Sequence, residues 1–126
     1  MNQPTILLFN IPLIKTAQIA NLCTALDIQL KQVSSADANK TIGMLAGFST
    51  ADSSIAKANK APFPSGEMMV FCGLLPDKLD SFLAEFKKRE IPKIPLKAVM
   101  TPYNAGWTPG RLFTELSREH AAFHKK

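Results

Sequence analysis

Long apolar runs are missing from this chain. The longest, Ile6–Phe9 and Met68–Cys72, fall far short of the roughly 20 residues of a membrane span, so no membrane association is expected. Cysteine is scarce. Cys23 and Cys72 are the only two, each within an apolar pattern and with no C-x-x-C. That predicts buried reduced thiols and gives a disulfide little support. The opening Met-Asn-Gln-Pro has no basic n-region and no cleavage pattern, so a cytoplasmic protein is the expectation. A G-x-S-x-G elbow, a Walker loop and a dinucleotide fingerprint are all absent, and no nucleophile–base pair stands out. A non-enzymatic small-ligand-binding or regulatory module without a cofactor is the preferred expectation, with an enzyme left open.

Charge of one sign is in modest excess. Fifteen Lys and Arg oppose ten Asp and Glu, giving +5. Residues 1–63 carry five basic and three acidic groups, residues 64–126 ten and seven. The surplus is spread over both halves, so there is no basic arm. A mildly basic surface admits nucleic acid, anionic ligands or acidic proteins as partners and selects none of them.

What is present is a compact apolar pattern. At 126 residues and 46% hydrophobic, the chain suits one domain over 1–126 with an ordinary core. Thr5–Ile11 and Met68–Gly73 read as buried strands. Ile19, Leu22, Cys23 and Leu26 mark one face of a helix over 13–26, and Leu79, Phe82, Leu83 and Phe86 mark a second starting at Pro76. Lys87, Lys88 and Arg89 suit that helix's C-terminal end. Asp27–Val33 and Leu96–Thr101 read as further strands. Asn39–Phe48 suits a short helix or a short strand, and 48–66 a surface excursion. Thr108 and Pro109 open a last helix ending near Phe123.

The order of elements repeats. Ile28–Val33 and Ile94–Val99 share I-x-L-K-x-V, each after a helix that follows an apolar strand holding Phe9 or Phe71. Phenylalanine and isoleucine are 19 residues apart in the first copy and 23 in the second; the prolines near Pro92 absorb the difference. Two strand–helix–strand units predict an α+β, ferredoxin-like split βαβ domain with a four-stranded antiparallel sheet. Both main helices would cover one face. The extra C-terminal helix would cover the other face or a sheet edge. A small, mostly parallel α/β sheet is the alternative.

The segment Leu96–Arg111, LKAVMTPYNAGWTPGR, is the best candidate for a site. It places a strand end, a tight loop and a helix N-terminus together, and helix N-termini accept anions. Lys97 and Arg111 would supply charge to a carboxylate or phosphate. Thr101, Asn104 and Thr108 would supply hydrogen bonds, and Trp107 with Tyr103 an apolar wall. The same residues also have a structural reading: Asn104 holding the turn, Trp107 covering the core, Thr108 capping the helix. Trp and Tyr equally suit a protein interface. His120 and His124 have a metal-compatible spacing on the last helix, but no third ligand accompanies them. Nucleic-acid binding on the open sheet face or over Lys87–Arg89 and Lys93, and self-assembly through a sheet edge, remain open alternatives.

Three stretches, TIGMLAG (Thr41–Gly47), MVFCGLLPDKLDSFL (Met69–Leu83) and LKAVMTPYNAGWT with a following L-x-x-E-L-x-x-E-H (Leu112–His120), resemble a bacterial family known as domain of unknown function 3783. The resemblance extends over nearly the whole chain and is most specific at Lys97–Trp107. It implies that Lys97, Thr101, Asn104, Trp107 and Glu119 belong to a shared feature. It implies no activity, substrate or cofactor.

Overall fold

The computed structural model describes residues 4–47 and 62–124. Along the chain lie β1 (Thr5–Phe9), α1 (Leu13–Ala25) and β2 (Gln29–Val33). A 3-10 turn (Ser35–Asp37) and α2 (Ile42–Leu45) follow. Then come β3 (Met68–Cys72), α3 (Pro76–Lys88), β4 (Leu96–Val99) and α4 (Pro109–His124). The short helix anticipated within 39–48 is α2. Most of the anticipated excursion over 48–66 lies outside the described residues.

The four strands form one sheet in the order β2-β1-β3-β4. β1 and β2 pair in parallel, β1 and β3 antiparallel, β3 and β4 in parallel. The domain is therefore α+β with a mixed sheet, and the antiparallel split βαβ arrangement is corrected. A split unit needs a strand inserted between the two it connects. Here each helix crosses between neighbouring strands, and the two βαβ units meet along the central β1/β3 pair.

Alternation along the strands sorts the core into two layers. Ile6, Leu8, Met69 and Phe71 meet Ile19, Leu22 and Cys23 of α1 and Phe82 of α3 on one face. Leu7, Phe9, Met68, Val70 and Cys72 meet Ile42 and Leu45 of α2 and Leu112 of α4 on the other. β1 and β3 are buried on both faces, which explains their unbroken apolar sequences. Cys23 and Cys72 are free and buried in different layers. Burial pushes each thiol up from its usual 9 to about 12.

The two halves follow one plan. β3 and α3 start 63 residues after β1 and α1, Thr5 to Met68 and Leu13 to Pro76. At the same spacing, left-handed backbone recurs after the strands, at Asn10 (φ 59°) and Gly73 (φ 76°). It recurs after the helices at Asp27 (φ 60°) and Glu90 (φ 56°). Each helix then ends alike: the amide of Ile28 donates to Cys23 O at 2.8 Å, that of Ile91 to Phe86 O at 3.2 Å. This is the Schellman closure, in which the residue beyond the left-handed position ties back to the last turn and packs its side chain inward. Ile28 and Ile91 are both buried.

From there the spacing becomes 67. β4 starts 67 residues after β2, Gln29 to Leu96. Thr41 and Thr108, also 67 apart, cap α2 and α4, accepting from the amides of Met44 and Arg111 at 3.2 and 3.3 Å. The four extra residues are Pro92, Lys93, Ile94 and Pro95. Ile94 is fully buried in the α1/α3 layer, whereas Leu96 belongs to the opposite layer. In the first half, Ile28 and Leu30 share one layer. The segment around Pro95 is outside the strand ladder, so alternation does not carry through it.

The I-x-L-K-x-V match is therefore out of register with the structure. Ile28 corresponds to Ile91, and Phe9, in the α4 layer, does not correspond to Phe71, in the α1/α3 layer. Lys31 pairs across to Leu7 and Lys97 to Met69, so the two lysines lie on opposite faces. The structural counterpart of Lys97 is Leu30.

Candidate functional site

The loop between β4 and α4 is tied to itself. The Asn104 carboxamide oxygen accepts from the Thr101 amide at 2.8 Å, and its NH₂ donates to Val99 O at 3.2 Å. The Asn104 amide donates to Thr101 Oγ1 at 3.1 Å. Two loop carbonyls, Trp107 O and Ala105 O, accept from the first amides of α2, Ile42 and Gly43, at 2.8 and 2.9 Å. The loop thus closes one helix N-terminus while leading into another.

The α4 terminus is largely spent as well. Pro109 has no amide proton, the Arg111 amide binds Thr108 Oγ1, and that of Leu112 binds Thr108 O at 3.1 Å. Gly110 and Thr108 are buried. The Arg111 guanidinium sits 4.3 Å over the Trp107 ring, and Tyr103 meets that ring edge-on at 5.3 Å. Thr101, Asn104, Trp107, Thr108 and Arg111 are gathered as the sequence suggests. Their polar atoms bond mainly within the loop and cap.

Lys97 is not with them. Its partner across the sheet is Met69, on the face covered by α1 and α3. There it borders a groove of about 350 Å³ with Met69, Leu83, Phe86, Lys87, Ile91 and Lys93. The four extra residues contribute Lys93 to its rim. Its floor is apolar. Leu83 remains 39% exposed, while Met69 and Ile91 are buried beneath. Lys97 Nζ donates to Ile94 O at 3.3 Å. Partial desolvation, and then the neighbouring Lys93 ammonium, lower its pKa below the ordinary lysine value.

Among the described residues, Lys87, Lys93 and Lys97 have no carboxylate within ion-pair distance. The nearby basic residue Arg89 does have one, Glu85 at 3.2 Å. Other lysines are committed too. Lys15 binds Glu67 at 2.6 Å and Lys93 O at 3.1 Å, and its counterpart Lys78 binds Leu26 O at 2.8 Å. Each reaches the chain beyond the other unit's main helix. A larger trough, about 570 Å³, runs between Leu26 and Leu75–Ser81, but no such cluster of like charge borders it. The side chains of His120 and His124 lie outside the described residues.

Sequence reasoning named Lys97 and Lys93 but put them in separate hypotheses. It did not single out Leu83, Phe86 and Ile91 as groove residues. Signals of the true register were present: Asp27-Ile28 against Glu90-Ile91, and T-x-G-x-L at both Thr41–Leu45 and Thr108–Leu112.

Fold and groove define a small α+β domain built from two βαβ units, with a basic apolar cleft in the second. Residues 67–123 match the family described as Domain of unknown function (DUF3783). The resemblance holds over that stretch, which spans β3 to nearly the end of α4. TIGMLAG lies outside the match, so coverage of nearly the whole chain is not found. No curated protein and no solved structure matches the chain.

Proposed function

We propose that this protein is a non-enzymatic binding module that holds a small anionic ligand in the groove between α3 and β4. One observation carries the reading. Lys97 occupies, on the helix-covered face of the sheet, the position that the first half fills with Leu30. Two ammoniums at the rim of an apolar groove, Lys97 partly desolvated and Lys93 beside it, favour a counter-charge. The chain supplies none among the described residues, and a ligand carboxylate or phosphate would. The anion site expected at the β4/α4 junction is thereby moved to the other face of the same strand. Lys97 is its charge, while Asn104 and Thr108 serve the loop and the cap.

The test is calorimetric titration of small anions in two buffers of different ionisation heat. Near the lowered pKa of Lys97, an anion restores the proton, so binding is accompanied by proton uptake. Lys97→Leu, which copies the first half, abolishes that uptake. An anion bound equally well by Lys97→Leu would remove the groove from consideration. Tight binding of a single-stranded oligonucleotide, weakening steeply with salt, would favour nucleic acid as the ligand instead.

A further inference from the structure

Resting on that reading of the groove, we infer that the ligand is amphiphilic: a free monocarboxylate with a medium-length apolar chain. The floor demands the chain. Leu83 and Phe86 of α3, with Met69 and Ile91 beneath, offer an apolar trough that a bare inorganic ion leaves wet. At about 350 Å³, the space lies near the lower end of the range for small-ligand cavities, about 300–1,000 Å³. One medium-length aliphatic or aryl chain suits it.

The rim selects the head group. Its donors are ammoniums, which act as point charges. The planar guanidinium fork that favours phosphate is engaged elsewhere, Arg89 being held by Glu85. Lys87 and Ile91 also bracket the C-terminal end of α3, where the helix dipole is negative. A multiply charged phosphate ester is disfavoured there relative to a single carboxylate. Affinity then depends on the chain, each buried methylene being worth about fourfold.

The experiment titrates the whole protein with octanoate below its micellar range, with acetate, and with octanol, following the lysine side-chain signals by NMR. Octanoate binds at least about tenfold more tightly than acetate and shifts the Lys93 and Lys97 signals. Lys97→Met, which keeps an apolar stem at an exposed position, weakens octanoate at least about fivefold and leaves octanol unchanged. Leu83→Asn weakens octanoate and leaves acetate unchanged; circular dichroism confirms that both variants fold.

Equal affinity for acetate and octanoate overturns the amphiphile and leaves the anion reading standing. Equal affinity for octanol and octanoate, unaffected by Lys97→Met, overturns both. No shift of Lys93 or Lys97 with any probe also overturns both. Binding to anionic phospholipid vesicles without displacement by octanoate would identify a lipid surface, and the free ligand would be abandoned.

Discussion

The first half of this protein and the second are built alike to the residue, until the step from Ile28 to Gln29 in one and from Ile91 to Leu96 in the other. Before that step the helices, the left-handed positions and the Schellman closures coincide. After it the strands and capped helices coincide again, four residues out of phase. The insertion brings two prolines, the buried Ile94 and the exposed Lys93. Beyond it, the position that corresponds to Leu30 holds Lys97, which borders a groove. Clefts of similar size border both edge strands, about 360 Å³ beside Gln29, Leu30 and Lys31 and about 350 Å³ beside Lys97. The second is set apart by its three lysines, Lys87, Lys93 and Lys97.

Breaking the shared core should have the largest effect. Phe82, fully buried against Phe71 with ring centroids 5.4 Å apart, occupies the place of Ile19 in the first half. Phe82→Ala should cost about 3–5 kcal/mol, and Ile19→Val about 0.5–1.5 kcal/mol. Equilibrium urea unfolding measures both. A smaller loss at Phe82 than at Ile19 would mean that α3 is not seated as described.

The capped helices sharpen the comparison next. Thr41→Ala and Thr108→Ala each remove a buried hydroxyl that accepts from an amide three residues on, at an expected cost of about 1 kcal/mol. Because the caps are counterparts, the two losses should agree closely in the same unfolding experiment. A neutral result at either would show that its helix is held without the cap.

The smallest expected effect lies at the divergent position. Lys97→Leu should stabilise the ligand-free protein only slightly at neutral pH, because Lys97 is exposed and solvent screens its charge, with a pH signature. The folded pKa of Lys97 lies below its unfolded value, so in that interval the unfolded state holds more protons. The lysine's destabilising contribution therefore disappears as pH rises through the folded pKa. Cys23 and Cys72 oppose this, because between about 9 and 12 the folded state keeps protons that the unfolded state has lost. The advantage of Lys97→Leu over the parent should thus shrink with alkaline pH, while both proteins lose stability from the thiols. A difference that is constant with pH would show that Lys97 is not perturbed.

Much of this was legible along the chain. The strands at 5–11 and 68–73, the stripe through Leu79, Phe82 and Phe86, the proline that opens α3 and the Thr108 cap are local matters. They follow from side-chain spacing, from a missing amide proton and from a hydroxyl within reach of one. The presence of two βαβ units was legible too. Which strands are neighbours was not, because β1 and β3 are apolar on both faces and accept partners on either side. The site was half legible. Asn104, Trp107 and Thr108 lie in one loop, as their spacing suggests, while Lys97 lies apart from them on the face covered by α1 and α3.

The sequence by itself determined the elements, their order and which side chains had to be inside, because burial and hydrogen-bonding preferences act over a few residues. The tertiary structure decided the strand order, the true correspondence of the halves and the company of Lys97. Side chains alternate with a period of two, so a one-residue error in register exchanges the faces of a whole strand. Nothing within I-x-L-K-x-V reveals that Pro95 interrupts the alternation in one copy. Only the pairing of Met68 with Leu96 and of Met69 with Lys97 settles it.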